Sequence, residues 1–246
     1  MRGLDTKAGA VSGVVTERGP VSCHKVVLAG GAWSRLFCSN LGVELPQLKL
    51  LVSVMRSGPV EGAAEHAAGA DDFALPQAAR WRLYHRAAKR QCRELTPDSF
   101  RLLFDFLPAV ITQWHELRLR VGRNFLEEWR VPRRWALDAV SPFETVRSLD
   151  PTPSYSILDE GERNLVGSFP AFGGMTIAER WAGVIDETPD GVPVISDVRS
   201  LPGFYIASAW LRHRPGRGVS HGRLGDRKDA VHRPHPLSLG RFARGI

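Results

Sequence analysis

The residues best placed to do chemistry stand at a glycine turn. Lys25 to Ala29 (Lys-Val-Val-Leu-Ala) is a short apolar run; Gly30-Gly31-Ala32-Trp33-Ser34 follows, and the chain then takes on helical character as far as Leu41. In a strand, turn, helix unit, glycine lets backbone approach a ligand closely, and the helix start favours phosphate or other negative charge. Two readings stay open on these residues alone: a ligand-facing turn, or only a tight connection. Asp186 and Asp190 are candidate proton-transfer groups, but Thr188-Pro189-Asp190-Gly191 is also an ordinary turn sequence, the reading preferred here. No side chain is assigned as a general base, so the catalytic residues stay unknown. Cys23, Cys38 and Cys92 lack Cys-x-x-Cys spacing and have no histidines at metal-ligand intervals, so neither a metal site nor a disulfide framework is expected.

Elements must hold that turn in place. Ala10 to Arg18 reads as a strand closed by a turn at Gly19-Pro20. Lys25 to Ala29 reads as a strand covered on both faces. Pro46 to Met55 is a further strand, leading into an Ala/Gly-rich loop from Gly58 to Ala70. Thr96-Pro97-Asp98 is a helix start with proline in the first turn. From Phe100, the residues Leu103, Phe104, Leu107, Val110, Ile111, Trp114 and Leu117 recur at helical spacing. They predict an amphipathic helix ending near Gly122, kinked or split at Pro108, with the stripe as core packing. Trp129, Arg130, Arg133, Arg134 and Trp135 admit base stacking beside phosphate contacts; with Glu127 and Glu128 alongside, a solvated surface is the preferred reading. A helix is expected from Ser154 to about Phe169 and a strand from Ile177 to Asp186.

The 246 residues are 43% hydrophobic, enough for one large or two small domains. No run approaches the roughly 18 apolar residues of a membrane span, and no leader opens the chain, so a cytoplasmic location is expected. The net charge of +7 is unevenly placed. Residues 77–93 hold six Lys or Arg and no acid, and residues 209–246 hold nine with two acids, so the remaining chain is acidic. The same two stretches contain five of the eight histidines. The charge marks two local anomalies rather than a nucleic-acid or membrane protein.

Four segments carry a resemblance. Val11-Ser-Gly-Val-Val-Thr-Glu-Arg-Gly-Pro20, Val26-Val-Leu-Ala-Gly-Gly-Ala-Trp-Ser-Arg-Leu36, Trp181-Ala-Gly-Val-Ile-Asp-Glu-Thr-Pro-Asp-Gly-Val-Pro-Val-Ile195 and Leu201-Pro-Gly-Phe-Tyr-Ile-Ala207 resemble, in order and spacing, the FAD-dependent oxidoreductases of the D-amino-acid oxidase, glycine oxidase and sarcosine oxidase superfamily. The resemblance covers about residues 1–75 and 94–208. It implies an α+β fold, an α/β FAD-domain remnant plus a substrate domain with a mostly antiparallel sheet and helices. The implied division is 1–45 partial FAD-binding domain, 46–180 substrate domain, 181–208 return to the FAD domain and 209–246 a disordered basic tail. It implies FAD as cofactor, with Ala29, Gly30, Gly31 and Trp33 against the flavin nucleotide. It also implies oxidation of a C–N bond in a small-molecule amine or amino acid by hydride transfer to flavin.

Two departures qualify this. The family's G-x-G-x-x-G unit, which cradles pyrophosphate, is absent from the sequence; the chain is expected to start past the first βαβ unit. After Ala207 the family's glycine-rich closing segment is also missing. Back-translating Ala209 to Arg227 with permitted codons and reading one base later yields His-Gly-Phe-Gly-Thr-Gly-Pro-Gly-Ala-Gly, which resembles that segment. The same operation on Ala79 to Arg93 yields a stretch resembling a substrate-domain hairpin. Both basic stretches are therefore expected to be out of frame, with His213 and His221 carrying no evolved role. The polypeptide is expected to retain no FAD and to be inactive unless a complementing FAD-domain chain supplies the missing unit. The alternative is a non-enzymatic binding protein whose basic tail contacts nucleic acid or membrane.

Overall fold

The computed structural model describes residues 1–60, 68–69, 74–75, 84–86, 91–112, 117–120, 123–208 and 236–242. The chain opens with an antiparallel meander, β1 (Gly3–Lys7), β2 (Ala10–Thr16) and β3 (Gly19–Ser22). β4 (Val26–Leu28) leads through a 3-10 turn, Gly31–Trp33, into α1 (Ser34–Asn40), and then comes β5 (Leu48–Ser57). Short strands follow: β6 (Ala68–Gly69), β7 (Ala74–Leu75), β8 (Tyr84–Arg86) and β9 (Gln91–Glu94). α2 (Pro97–Arg101), α3 (Leu103–Thr112), β10 (Leu117–Arg120), α4 (Arg123–Arg130), α5 (Pro142–Thr145) and α6 (Tyr155–Ser168) fill the middle. The chain returns through β11 (Ile177–Glu187), β12 (Val194–Asp197) and β13 (Phe204–Ser208).

Two sheets frame the glycine turn. In one, β4 runs parallel to β13, and β13 pairs antiparallel with β12. Gly203 opens β13 at φ +90°, and a Cβ there would collide with the His24 carbonyl, so the Leu-Pro-Gly-Phe spelling at this point answers a steric demand. In the other, β11 pairs antiparallel with β5 along almost its whole length, and β8, β7 and β6 continue outward from β5. The architecture is mixed α+β with mostly antiparallel sheets. The main core lies beneath the first sheet, where Phe37, Cys38, Leu45, Val194, Phe204 and Ile206 are buried. Truncating one such aliphatic or aromatic side chain to alanine costs about 2–5 kcal/mol.

Several expectations are corrected. The β2–β3 hairpin turns at Glu17-Arg18, because Thr16 pairs with Gly19 and its hydroxyl donates to the Gly19 carbonyl at 2.7 Å; Gly19-Pro20 already belongs to β3. The single helix over 100–122 is instead α2, α3 and then strand β10. The break falls at Leu102 rather than Pro108, which lies inside α3. The stripe expected as core packing turns outward: Leu103, Phe104, Leu107 and Ile111 are exposed, Phe104 at 73%. Leu102 and Phe106, four residues apart, are buried with Leu48, and a helix buries one stripe. The expected stripe lies about 100–200° round the helix from it. Trp114 is outside the described residues.

In the basic stretch 77–93, the backbone of β8 pairs with Val54–Arg56 and that of β9 runs parallel to β10; its other positions are outside the described residues. The disordered tail expected over 209–246 does not extend to residues 236–242, which dock on β12; 209–235 lie outside the described residues. No helix among the described residues is long and apolar enough to cross a membrane.

Helix starts follow their sequence signals. Thr96 and Ser99 form a capping box around Pro97, as do Ser141 and Glu144 around Pro142. Glu144 also receives the Arg2 guanidinium through two bonds of 3.0 and 3.1 Å, closing the meander onto α5. Hydrogen bonds from Arg2 and from the Ser141 amide and hydroxyl hold the Glu144 carboxyl down to about 2. A carboxyl lowered by folding stabilises above its ordinary pKa near 4.5, and that contribution fades as pH falls through about 2. Glu144→Gln removes the tie at every pH. The stability difference between variant and parent, read by urea unfolding, is expected to be full at neutral pH and to shrink between pH 4.5 and 2; a difference independent of pH would contradict the assignment.

Candidate functional site

The turn after β4 lies where α/β sheets place ligands, beyond the carboxyl end of parallel strands. Ala29 is exposed there, and Gly30, Gly31 and Trp33 are half-buried. Gly31 has φ +52°, and the Trp33 amide donates to the Gly30 carbonyl at 3.0 Å, which turns the chain into α1. A Cβ on Gly31 would meet only the Asp186 Oδ1, at 3.9 Å, so the glycine is demanded by the backbone angle and leaves space above it. The Trp33 ring packs edge-on against Phe143 at 5.3 Å and carries the Lys49 ammonium 4.8 Å from its centroid. All four residues singled out from the sequence therefore lie together on one short turn.

Behind the turn sits a buried polar node. Gln47 Nε2 donates to the Asp186 carboxylate and, at 2.6 Å, to Ser208 Oγ; Ser208 Oγ donates to Asp186 Oδ2 at 3.1 Å. The Gln47 side-chain oxygen accepts the Arg35 amide at 3.2 Å. Gln47, Asp186 and Ser208 are all under 7% exposed. They come from the start of β5, the end of β11 and the end of β13, so one node ties three strands and α1 directly behind Gly31. Asp186 was visible as a candidate carboxylate; Gln47 and Ser208 carry no sequence signal, since their partners are 139 and 22 residues away from them.

Asp190, the other candidate, serves the turn. Gly191 donates its amide to the Thr188 carbonyl at 3.0 Å, and Asp190 Oδ1 accepts from the Thr188 hydroxyl and the Val192 amide, each at 3.1 Å. On the far side of Ala32 a small cleft is lined by Arg35, Gln47, Lys49, Asp98 and Arg133. Its charges are mutually committed: Asp98 receives Arg35 at 3.1 Å and Arg133 at 2.5 Å, and Lys49 meets Glu128 at 2.6 Å. Burial pushes the Asp98 carboxyl up, and the Arg133 and Arg35 guanidiniums more than offset it, holding it below the usual carboxylate range. The arginines near Trp129 are thus partly spent on structure, and the Trp129 ring stacks on Phe125 at 6.0 Å.

Residues 1–225 match the model of the DAO family, described as FAD dependent oxidoreductase. The chain belongs to this family. Among family relatives, glycine oxidase of Pseudomonas putida is 26% identical over 211 residues, 86% of this chain and 43% of that protein. The structure of L-amino acid deaminase from Proteus myxofaciens in complex with anthranilate superposes with TM-score 0.89 at 33% identity, covering 99% of this chain and 55% of that one. L-amino acid deaminase from Proteus vulgaris gives TM-score 0.85 at 30% identity, over 98% of this chain and 57% of the other. The chain spans less than half the length of the curated relatives it matches.

The family is FAD-dependent, and the described residues fit one wall of a flavin site. Ala29, Gly30 and Gly31 offer backbone with no bulky side chain in the way, and Trp33 offers a ring flank. They form no pyrophosphate cradle, and the sequence holds no G-x-G-x-x-G.

Two outcomes follow from the site. Gly31→Ala forces a Cβ into a left-handed backbone at about 1–2 kcal/mol, and Asp186→Ala strands two buried donors at about 1–3 kcal/mol each; urea denaturation is expected to show losses of that order in both. Cys38 is fully buried and its thiol is pushed up to about 12 by burial. Native alkylation at pH 8 is expected to spare Cys38 until denaturant is added, while the half-buried Cys23 reacts.

Proposed function

We propose that this chain supplies the substrate-domain sheet and the flavin-facing glycine turn of an oxidoreductase acting on the C–N bond of an amino acid or amine. The observation that carries it is the turn itself: the resemblance assigns Ala29, Gly30, Gly31 and Trp33 to the flavin, and they share one open turn with the Asp186 node behind it. Membership of a FAD-dependent family supports the chemistry, and the names of the deaminase and oxidase relatives support the substrate class. When bound, FAD would supply the acceptor for hydride from a substrate α-carbon, with the resulting imine hydrolysed by water. The chain's own part would be to present backbone surface at Ala29, Gly30 and Gly31 to the flavin nucleotide, to back that turn with the Gln47, Asp186 and Ser208 node, and to close its flank with Trp33.

Two further parts of the reading concern this polypeptide alone. These residues by themselves hold no stoichiometric flavin, because they contain no G-x-G-x-x-G unit to bind pyrophosphate; a complementing chain that carries such a unit is the source proposed here. The basic stretches 77–93 and the one beginning at Ala209 are out of frame, which accounts for their charge. Purified chain is expected to lack visible flavin absorbance. Co-expression with a polypeptide carrying a glycine oxidase βαβ unit is expected to restore absorbance and turnover of an amino acid. Stoichiometric flavin on the chain alone sinks the cofactor part, and failure of the co-expressed pair to gain flavin sinks the complementation. An unshifted gene at both stretches sinks the out-of-frame reading.

A further inference from the structure

The last described residues, 236–242, fall in the stretch expected as tail, yet they dock with full chemical satisfaction. The Leu237 carbonyl accepts the Ile195 amide at 2.9 Å, capping the edge of β12. Leu239 and Phe242 pack against the main core, and the Arg241 guanidinium lies 4.2 Å from the Phe242 ring centroid. Arg241 Nε and Nη2 take the two oxygens of Asp190 at 2.7 and 3.2 Å. Nη2 also donates to the Val192 carbonyl at 2.6 Å, and Nη1 donates to the carbonyls of Pro193 and Ser238 at 3.2 and 3.1 Å. A guanidinium has five N–H donors in a fixed fork, and these bonds use all of them. An out-of-frame segment has no reason to meet four acceptors of residues 190–193 while seating two apolar side chains.

That turn matters to the site. Thr188 to Gly191 hands β11 over to β12, and Thr188 is buried two residues after Asp186, whose Oδ1 stands 3.9 Å from where a Cβ on Gly31 would sit. We propose that residues 236–242 are an evolved, in-frame clasp in which Arg241 is a positioning residue: by clamping the Thr188–Gly191 turn it holds Asp186 behind the flavin-facing glycine turn. The second anomalous stretch is then an internal window, with the native frame restored between residues 227 and 236. The positioning role rests on the proposed function, and the window rests on the out-of-frame reading.

Hydrogen–deuterium exchange on the full chain tests the clasp without any cofactor. Arg241→Ala is expected to speed exchange about tenfold or more in peptides covering 186–195, the scale set by losing charge-assisted bonds. A smaller acceleration is expected over 29–34, with 48–57 unchanged. Arg241→Lys keeps the charge but not the fork and is expected to restore little. No change at 186–195 overturns the clasp; acceleration there with none at 29–34 overturns the positioning role. Should Arg241→Ala unfold the whole chain, Asp190→Asn, which keeps the side-chain shape, is expected to give the same local pattern more weakly, and uniform acceleration in that variant overturns the proposal. Sequencing the locus separates the two readings. A frame shifted near residue 209 and restored before 236 supports the window, and one shifted and still unrestored at 236 overturns the inference while leaving the out-of-frame reading standing. An unshifted frame removes that reading yet leaves 236–242 in frame, as the clasp requires.

Discussion

The pairing of β5 with β11 is the constraint on which the rest depends. Side chains on a strand alternate faces, so a one-residue slip would send Asp186 to the opposite face, away from Gln47 and Ser208. The ladder is long enough to forbid that, running from Ile177 opposite Ser57 to Glu187 opposite Leu48, with a register irregularity only at its first residues. Its burial also changes side along the way: Leu48 and Leu50 are buried at one end, and Ser53, Met55 and Ser57 at the other. One ribbon thus packs against α2 and α3 through one face and against α6 through the other. This is how a single pair of strands serves packing on both of its faces.

Electrostatics around the glycine turn follow one pattern, in which partly buried charge is shared rather than left alone. Asp98 collects Arg35 and Arg133 and also Arg101 at 3.3 Å, while Lys49 is divided between Glu128 and the Trp33 ring. Removing one partner leaves the other charge behind in a partly desolvated place. Those pairs set where α1, the α2 start and the segment after α4 sit relative to Ala32, so the small cleft beside the turn belongs to its scaffolding.

Most of the architecture could be read in advance wherever the signal was local. The β4 run, the glycine turn, the Thr96 and Pro97 helix start, α6 and β11 all appear where spacing and capping chemistry put them, although β4 is not covered on both faces as expected, since Val27 is exposed. The misplacements are those in which local signal and tertiary partner disagreed. Leu103, Phe104, Leu107 and Ile111 have helical periodicity and would suit a core, but β5 meets the Leu102 and Phe106 flank instead. Arg241 reads as one more charge in a basic tail until Asp190, fifty-one residues earlier, is seen to receive it.

The sequence by itself determined the lineage, the α+β character, the glycine turn and the anomalous placement of charge, because each depends on residue type and short spacing. Only the tertiary structure decided that Asp186 joins Gln47 and Ser208 in a buried node behind that turn, that Asp190 caps the turn from Thr188 to Gly191, and that residues 236–242 belong to the fold. Each depends on partners tens of residues apart, and such distances are closed by the register of β5 and β11 and not by any local preference.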